Sequence, residues 1–522
     1  MLAAMPPTSP TPVNRDEAPV RERGDACPGA LRLHAADDGR LARLRLPAGV
    51  LTHHQAGVLE AAAERLGDGH LDITSRGNVQ LRGLGESCGG QLARMLYDAG
   101  LLPSEAHERI RNIVASPLAG LDGRDRDRDL DRARSSAHSV QLWSKELDEL
   151  LCASAAATAL SGRFLFALDD GRGDVAALGA DVTLLAQRYD TATLLIQTNP
   201  SGWRVPATDA ARAALVAAEA FLTVAAAGGS GAWRVRELPA GHGLDAAVTA
   251  RLAEAGIPAD RVPAPDHIPA DRVPAPDHIP AADQQPGPAA GPPALGAVRS
   301  PDGTVALSVQ APLGRLSVAQ WRLLRTAAAA AAATAAAGGS ETGTAYGTLR
   351  VTPWRGVVVP GLAPDTAGDL LDRLRTAGLI TTPDSPWHGV GACTGRPGCA
   401  KSLSDVRTDA TQVAQGAQVA QVARATHAPP PPPPGQRDPG PHHPHLPVHW
   451  SGCARRCGHP QGTSWVDAVA TGEGTYDVTV RTAHQDPRTT ATPQAVRAAG
   501  PAAGQDLAGA VAAARTTPTM TR

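Results

Sequence analysis

The chain has 522 residues, of which 42% are hydrophobic and 19% charged, so it has enough apolar content to form more than one buried core. Its 49 basic and 51 acidic residues nearly cancel, and we expect neither a nucleic-acid partner nor a membrane-surface partner. The first 22 residues show no apolar targeting segment, and the seven cysteines are an odd number. These features predict a cytoplasmic protein whose cysteines bind metal rather than form disulfides.

The two halves of the chain resemble each other in sequence. Residues 71–84 (LDITSRGNVQLRGL) align without gaps on residues 349–362 (LRVTPWRGVVVPGL), with apolar or shared residues at matching positions. Each copy follows a strand-like and then a helical segment: Leu41–Leu46 and Ala56–Leu66 in the first, Val305–Val309 and Val318–Ala337 in the second. The pattern predicts a β-α-β unit used twice, packed about a pseudo-two-fold axis with a site where the halves meet.

Two segments have the composition of linkers. Ile257–His267 (IPADRVPAPDH) is repeated unchanged at Ile268–His278, which indicates a duplicated linker. The second segment, residues 412–446, contains the six consecutive prolines Pro429–Pro434, which favour an extended spacer. Three histidines beside the prolines are interpreted as solvated residues rather than as a metal site: His442, His443 and His445.

Four of the cysteines form two short motifs. Cys393 and Cys399 make a C-x5-C pair, and Cys453 and Cys457 make a C-x3-C pair. Glycines and a proline within the first pair predict a tight irregular loop, whereas the second pair is predicted to share one face of a helical turn. Four thiolates from two loops suit a [4Fe-4S] cluster; structural zinc is the alternative, although this combination of spacings is atypical for zinc. The remaining cysteines are predicted to be structural thiols: Cys27, Cys88 and Cys152.

The sequence around these motifs resembles a known family. Residues 392–402 (ACTGRPGCAKS), 449–460 (HWSGCARRCGHP) and 24–32 (GDACPGALR) resemble the precorrin-3B synthase family of the sulfite/nitrite reductase superfamily. The resemblance extends over roughly residues 23–245 and 296–485. It implies an α+β fold with two pseudo-symmetric ferredoxin-like half-domains and two α/β domains of the sulfite-reductase type, the C-terminal one holding the iron–sulfur cluster.

The resemblance and the linkers together divide the chain into seven parts. They are a disordered N-terminus (1–22), ferredoxin-like half-domain 1 (23–90), a first α/β domain of the nitrite/sulfite reductase type (91–245), a Pro-rich repeat linker (246–295), ferredoxin-like half-domain 2 (296–365), the [4Fe-4S] domain (366–490) with a low-complexity insert (411–446), and a flexible C-terminus (491–522).

The activity that the resemblance implies is oxygen-dependent hydroxylation of precorrin-3A with γ-lactone formation, in cobalamin biosynthesis. Electrons come from NADH or NADPH, and because no clear dinucleotide-binding motif is present, a separate reductase or ferredoxin is the expected donor. Oxygen activation requires the cluster itself or a mononuclear non-haem iron, for which His53, His54 and His449 are available but unassigned. One alternative is a siroheme-dependent sulfite or nitrite reductase, with Cys457 bridging the cluster to siroheme; the other is a non-catalytic iron–sulfur protein.

Either kind of substrate is anionic, so arginines are the expected contacts. The resemblance implies substrate binding by Arg76, Arg111, Arg163, Asn78 and Asn112, with Arg82 and Arg109 as adjacent candidates. The reductases carry two lysines in the segment where this chain has Arg163 and Leu165. Because a leucine cannot relay the protons that sulfite reduction consumes, Leu165 favours hydroxylation of a macrocycle.

Overall fold

The computed structural model describes residues 25, 27–122, 133–187, 190–197, 201–263, 291–337, 347–426, 445–460, 464–481, 502–503 and 505–516. The predicted disordered N-terminus, the second copy of the 11-residue repeat, the polyproline run, His442 and His443 lie outside these residues. His445 is exposed at their border.

Nine helices and 21 strands are formed by the described residues. The helices are α1 (His53–Leu66), α2 (Gly89–Asp98), α3 (Ala133–Ala153), α4 (Ala210–Ala227), α5 (Leu244–Glu254), α6 (Val318–Ala337), α7 (Pro364–Thr376), α8 (Val406–Thr426) and α9 (Gln505–Arg515). The strands are β1 (His34–Ala36), β2 (Gly39–Leu44), β3 (Val50–Thr52), β4 (His70–Ile73), β5 (Val79–Leu84), β6 (Ile113–Ala115), β7 (Phe166–Asp169), β8 (Val182–Ala186), β9 (Thr191–Ile196), β10 (Ser201–Pro206), β11 (Asp260–Pro263), β12 (Gly296–Arg299), β13 (Val305–Gln310), β14 (Arg315–Ser317), β15 (Thr348–Val351), β16 (Gly356–Leu362), β17 (Val390–Ala392), β18 (Val448–Ser451), β19 (Trp465–Gly472), β20 (Thr475–Arg481) and β21 (Ala502–Ala503).

The two half-domains exchange a strand. One five-stranded sheet has the order β1-β2-β5-β4-β14, and the other has the order β12-β13-β16-β15-β3. In each sheet the last strand comes from the other half of the chain: β14 pairs with β4, and β3 pairs with β15, both antiparallel. The predicted duplicated α+β half-domains are confirmed, and the exchange makes the two sheets interdependent.

Each half-domain helix begins with the same capping box. The hydroxyl of Thr52 accepts a hydrogen bond from the amide of Gln55 at 3.1 Å, and the Gln55 side-chain oxygen accepts one from the Thr52 amide at 3.0 Å. Ser317 and Gln320 repeat these two bonds at 3.2 and 2.9 Å. Two amides that have no partner within the helix are thereby satisfied in each copy, which fixes where α1 and α6 begin.

Helices α1 and α6 pack against each other, and each also contacts strands of both sheets. The Trp321 side chain is fully buried there, and its indole Nε1 donates to the carbonyl of Ala56 at 2.8 Å. Ala327, Ala328 and Ala331 are buried along the same helix. The alanine-rich part of α6 therefore has one buried face, and the predicted helix at Val318–Ala337 is formed.

A six-stranded sheet of order β11-β10-β9-β8-β7-β6 follows half-domain 1 in the chain. Its core is shared with α3, α4 and α5. Residues Ala207–Ala227 are long and apolar enough to span a membrane by composition alone, but α4 lies within this core and buries Phe221. The predicted linker at 246–295 begins inside the domain, because Ile257 is buried and β11 pairs with β10. The first copy of the repeat is thus partly folded.

The C-terminal sheet has the order β17-β18-β19-β20-β21 and is covered by α8 and α9. The structure differs here from two predicted boundaries. Helix α8 extends to Thr426, well into the predicted insert at 411–446, and α9 occupies part of the predicted flexible C-terminus at 491–522. Buried side chains explain both helices, since Val406 and Ala410 on α8 and two residues of α9 enter the domain core: Leu507 and Val511. The helix propensity of alanine and glutamine outweighs the low complexity of α8.

Candidate metal centre and arginine cluster

The two cysteine motifs begin at the carboxyl ends of neighbouring parallel strands. Cys393 directly follows β17, and Cys453 follows β18 after one glycine. The strands pair in parallel, with Ala392 opposite Trp450. Because the carboxyl ends of parallel strands meet at one edge of a sheet, the fold brings the two motifs together although 53 residues separate Cys399 from Cys453 in the sequence.

Both cysteine loops have an irregular backbone, and in one of them a backbone amide donates to a thiol sulfur. The amide of Gly452 donates to Cys393 Sγ at 3.2 Å, and Gly395 adopts a positive φ of 70°. The segment from Cys453 to Cys457 consists of turns, and Arg456 within it has a φ of 51°. The predicted helical turn is therefore wrong for this pair, since a left-handed residue interrupts the helical path.

The four thiols fit a cluster better than a single zinc ion. Burial and the charges of Cys393, Cys453 and Cys399 raise the pKa of Cys457, so all four sulfurs lie within electrostatic reach of one another. No three of them lie within 4.8 Å of one another. A tetrahedral zinc site with Zn–S bonds of about 2.3 Å would require sulfurs roughly 3.8 Å apart. A [4Fe-4S] cluster has no such requirement and takes one thiolate for each iron, which four cysteines supply.

Half-domain 1 holds the loop that carries Cys399. Arg82 forms two hydrogen bonds with Asp38, at 2.7 and 2.8 Å, and donates to the carbonyl of Gly398 at 2.9 Å. Arg82 was an adjacent candidate for anion binding. In the structure its planar fork pairs with Asp38 and connects half-domain 1 to the cysteine loop.

Arg45 and Arg76 converge on the carbonyl of Gly162, and Arg234 lies within electrostatic reach of Arg76. Arg45 donates to the Gly162 carbonyl at 3.0 Å, and Arg76 donates to it at 3.5 Å. Burial and the charges of Arg234 and Arg45 lower the pKa of Arg76 to about 9. We call Arg45, Arg76 and Arg234 the arginine cluster. A guanidinium with this surplus of positive neighbours is stabilised by an anionic ligand.

Negative groups also act on the arginine cluster, Asp25 on Arg45 and both Asp181 and Glu237 on Arg234. Buried Asp181 is paired with Arg234, and the Cys27 sulfur accepts a hydrogen bond from Arg45 at 3.2 Å. A cavity of about 350 Å³ opens beside Cys27 and is also lined by Asp25, Arg32 and His34. Cys27 was predicted to be a structural thiol; its contact with Arg45 at the wall of a cavity is a feature that its position in the sequence did not reveal.

The other predicted substrate contacts occupy different environments. Arg111 forms a bidentate pair with Asp148, both bonds at 2.6 Å, and its side chain is largely buried. The Asn78 amide donates to the Asn112 side chain at 3.0 Å, and Asn112 donates to the carbonyl of Phe164 at 3.0 Å. These three side chains therefore connect segments of the protein, and the structure does not bring them into the arginine cluster.

Arg163 and Leu165 precede β7. Arg163 is exposed and lies over the ring of Trp233, with its guanidinium carbon 4.8 Å from the ring centroid. Leu165 is buried in a small apolar cluster, against which Trp354 packs. Leu165, which stands where the reductases are expected to have their second lysine, therefore offers neither a charge nor a proton.

Among the described residues, one group of three carboxylates is compact enough for a mononuclear metal site. Oxygens of Asp169, Asp170 and Asp174 lie within 4.8 Å of one another, and all three residues are buried. Each is already engaged: Arg172 pairs with Asp170, Ser116 donates to Asp174 at 2.6 Å, and backbone amides donate to Asp169. This arrangement is explained by its internal hydrogen bonds.

The three histidines that were available for a second iron are not brought together as a ligand set. His53 and His54 are exposed at the start of α1, whereas His449 is fully buried on β18. His449 Nε2 donates to the carbonyl of Cys457 at 3.0 Å, since a carbonyl oxygen can only accept. Burial and the charge of Arg355 lower the pKa of His449 well below its usual value, so the ring is neutral. No metal-sized group in the described part of the chain includes a histidine.

Comparison with known proteins finds the same duplication. The model of the nitrite/sulfite reductase ferredoxin-like half domain matches residues 34–87 and 298–377. A ferredoxin–nitrite reductase from Leptolyngbya laminosa is 43% identical over 82 residues, which are 15% of this chain and 16% of that protein. A precorrin-3B synthase from Sinorhizobium sp is 39% identical over 100 residues, 19% of this chain and 21% of that protein. The aligned regions thus span less than a quarter of these relatives.

The structure of the Mycobacterium tuberculosis NirA protein has a similar fold. It superposes with a TM-score of 0.56 at 18% identity, covering 84% of this chain and 74% of that chain. This likeness concerns the fold alone. The chain therefore contains two copies of a half-domain known from nitrite and sulfite reductases, and its named relatives include nitrite reductases and a precorrin-3B synthase.

Proposed function

We propose that this protein is a precorrin-3B synthase, which hydroxylates precorrin-3A with dioxygen and closes a γ-lactone in cobalamin biosynthesis. One oxygen atom enters the macrocycle and the other leaves as water, with electrons from NADH or NADPH delivered by a separate reductase or ferredoxin. The observation that carries the proposal is the contrast within one region: Arg76 lies beside two further arginines, whereas Leu165 is apolar and buried.

The arginine cluster suits a substrate with several carboxylates. Guanidinium groups bind carboxylates through paired hydrogen bonds, and partial burial strengthens each contact. Arg76 is the best placed of the three, because its guanidinium makes a long hydrogen bond of 3.5 Å to the Gly162 carbonyl, which leaves its other N–H donors available to a ligand. In the proposed reaction Arg76 binds a substrate carboxylate and orients the macrocycle, and Arg45 holds the Gly162 backbone beside it.

Cys393, Cys399, Cys453 and Cys457 would hold the [4Fe-4S] cluster. When bound, such a cluster supplies one-electron transfer. Cys457 is the exposed member of the four, which suits a position beside a bound tetrapyrrole. In the proposed enzyme Cys457 ligates the cluster alone. The surrounding residues shield the other three thiols from water, since each of those is half-buried.

A siroheme-dependent nitrite or sulfite reductase is the second candidate. It is favoured by the identity of 43% to a ferredoxin–nitrite reductase, which is as strong a match as that to precorrin-3B synthase. In that enzyme Cys457 would bridge the cluster to siroheme. The buried Leu165 counts against it, because reduction of these anions requires protons at the position where the chain has an apolar side chain.

A visible absorption spectrum of the anaerobically purified protein separates the two candidates. We expect the broad absorption of an iron–sulfur cluster without a porphyrin-like band, and conversion of precorrin-3A when dioxygen and a reductant are added. Stoichiometric siroheme in the purified protein would rule out the hydroxylase. A protein that reconstitutes its cluster but leaves precorrin-3A unchanged would instead be a non-catalytic iron–sulfur protein.

Replacing Arg76 by alanine should weaken tetrapyrrole binding. Loss of one charge-assisted contact costs about 1.5–3 kcal/mol, which corresponds to an affinity roughly 10- to 150-fold lower. The visible spectrum of the cluster should not change, because Arg76 lies on the half-domain rather than among the cysteines. Arg94→Ala is the control, because Arg94 is an exposed arginine on α2 with no proposed contact to the substrate. Equal affinities of wild type and Arg76→Ala in a binding titration would refute this role.

A further inference from the structure

Arg355 is held in a backbone conformation that glycine usually adopts. It lies in the turn between β15 and β16 with a φ of 59°, and the equivalent turn of the first half has Gly77 there, with a φ of 65°. Both turns have the same backbone bonds, since Gly77 donates to Thr74 and Arg355 donates to Thr352, each at 3.1 Å. A long side chain at a left-handed position is strained, and such strain is retained where a side chain has a specific task.

Three glycines leave room for the Arg355 side chain. A Cβ atom on Gly314 would lie 2.5 Å from Arg355 Cδ, and one on Gly391 would lie 2.5 Å from Nη1. A Cβ atom on Gly458 would lie 3.0 Å from Nη2. Gly391 belongs to β17 and Gly458 follows the second cysteine pair. The guanidinium therefore passes from half-domain 2 into the cysteine domain through a path that any larger residue would close.

Two consecutive carbonyl groups at the end of the second cysteine motif accept hydrogen bonds from Arg355 and from His449. Arg355 Nη2 donates to the carbonyl of Gly458 at 2.8 Å, and His449 Nε2 donates to the carbonyl of Cys457 at 3.0 Å. His449 is fully buried, and its Nδ1 atom has no hydrogen-bond partner. Gly391 lies against both side chains, since its added Cβ would also be 3.2 Å from His449 Nδ1. His449 thus holds the backbone of Cys457, and Arg355 holds that of the next residue from a different domain.

We infer that Arg355 and His449 are positioning residues for Cys457, and that the Arg355 charge raises the reduction potential of the cluster which Cys457 would ligate. The inference rests on the proposed [4Fe-4S] cluster. Arg82 of half-domain 1 holds the carbonyl of Gly398 beside Cys399. The inference gives Arg355 of half-domain 2 the matching role at the second cysteine pair.

Electrostatics supports the second part of the inference. Burial and the charge of Arg407 lower the pKa of Arg355. The charge of the Cys393 thiol acts on Arg355 as well and opposes this fall. The arginine is therefore within electrostatic reach of the thiol group. Reduction adds a negative charge to a cluster, and a nearby fixed positive charge favours the reduced form.

The test is a redox titration of the reconstituted full-length protein, followed by electron paramagnetic resonance of the reduced cluster. Arg355→Gln is expected to have a more negative midpoint potential than wild type and altered g values. Arg355→Lys keeps the charge and should lie closer to wild type. Gly391→Ala leaves the arginine in the sequence but displaces its guanidinium, so its potential should shift in the same direction as that of Arg355→Gln. Arg375→Gln is the control, because Arg375 is exposed on α7.

An unchanged potential and unchanged g values in Arg355→Gln would overturn the inference. If that variant takes up no iron, Gly391→Ala decides: a wild-type potential there overturns the inference, and a more negative one supports it. His449→Gln, whose amide can still donate to the Cys457 carbonyl, should keep more iron than His449→Leu; equal iron contents would remove His449 from the role. A wild-type protein that binds no iron and sulfide under anaerobic reconstitution would instead contradict the proposed function.

Discussion

Replacement of Cys399 by serine should remove the brown colour of the purified protein and lower its iron content to background. A serine hydroxyl does not replace the soft thiolate that each iron of the cluster requires. The loss should also lower the thermal stability of the C-terminal domain, because cluster binding contributes to the stability of the loops that hold it. Iron and sulfide analysis and a thermal melt followed by circular dichroism measure the two effects.

Cys88→Ser is the matched control for this substitution. Cys88 precedes α2 in half-domain 1, and its thiol donates to the Gly85 carbonyl at 3.1 Å, a bond that serine can also make. We expect wild-type colour and iron in this variant. Retained iron in Cys399→Ser would contradict the assignment of Cys399 as a ligand. Destabilisation without loss of iron would mean that the cysteine packs in the loop but does not bind the cluster.

The duplicated half-domains could be predicted because each copy carries its own pattern. Residues 71–84 and 349–362 align without gaps since the strand alternation and the turn lengths are the same in both. The strand exchange could not be predicted in this way. Strands β3 and β14 have three residues each, and their partners belong to the other half of the chain, so no local pattern specifies the pairing. The capping boxes, by contrast, have a local sequence signature in both halves, Thr52-x-x-Gln55 and Ser317-x-x-Gln320.

The cysteine spacing predicted a shared site, but not the residues that hold it. Arg82 and Arg355 come from the two half-domains and reach carbonyl groups beside Cys399 and Cys457. The sequence carried a signal for Arg355: the gapless alignment places it opposite Gly77, where a non-glycine residue is unexpected. For Arg111 no signal distinguished an ion pair with Asp148 from a substrate contact, because the partner lies 37 residues away on α3.

The arginines and cysteines therefore depend on how the half-domains are joined. Each half-domain contributes one arginine to the cysteine loops, and strand exchange fixes the two halves relative to each other. A change that loosens the contact between α1 and α6 should therefore alter the positions of both Arg82 and Arg355. Stability of the half-domain core is consequently a condition for the geometry of the proposed cluster.

Trp321→Ala should be among the most destabilising single substitutions in the half-domain core. Trp321 is fully buried between α1 and α6, and truncating a buried tryptophan to alanine costs ~3–5 kcal/mol. Trp321→Phe keeps most of the ring volume but leaves the Ala56 carbonyl without the indole donor, which costs ~1–3 kcal/mol. Urea denaturation followed by circular dichroism should give the lowest free energy of unfolding for Trp321→Ala, an intermediate value for Trp321→Phe and the highest for wild type.

Tyr97→Ala is the control, because Tyr97 on α2 is 66% exposed and its removal should change the free energy of unfolding by no more than about 0.5 kcal/mol. A Trp321→Ala variant as stable as Tyr97→Ala would show that the α1–α6 contact does not hold the halves together. If the contact does, the same variant should also bind iron less completely on reconstitution, since the arginines that hold the cysteine loops are carried by the half-domains that this contact joins.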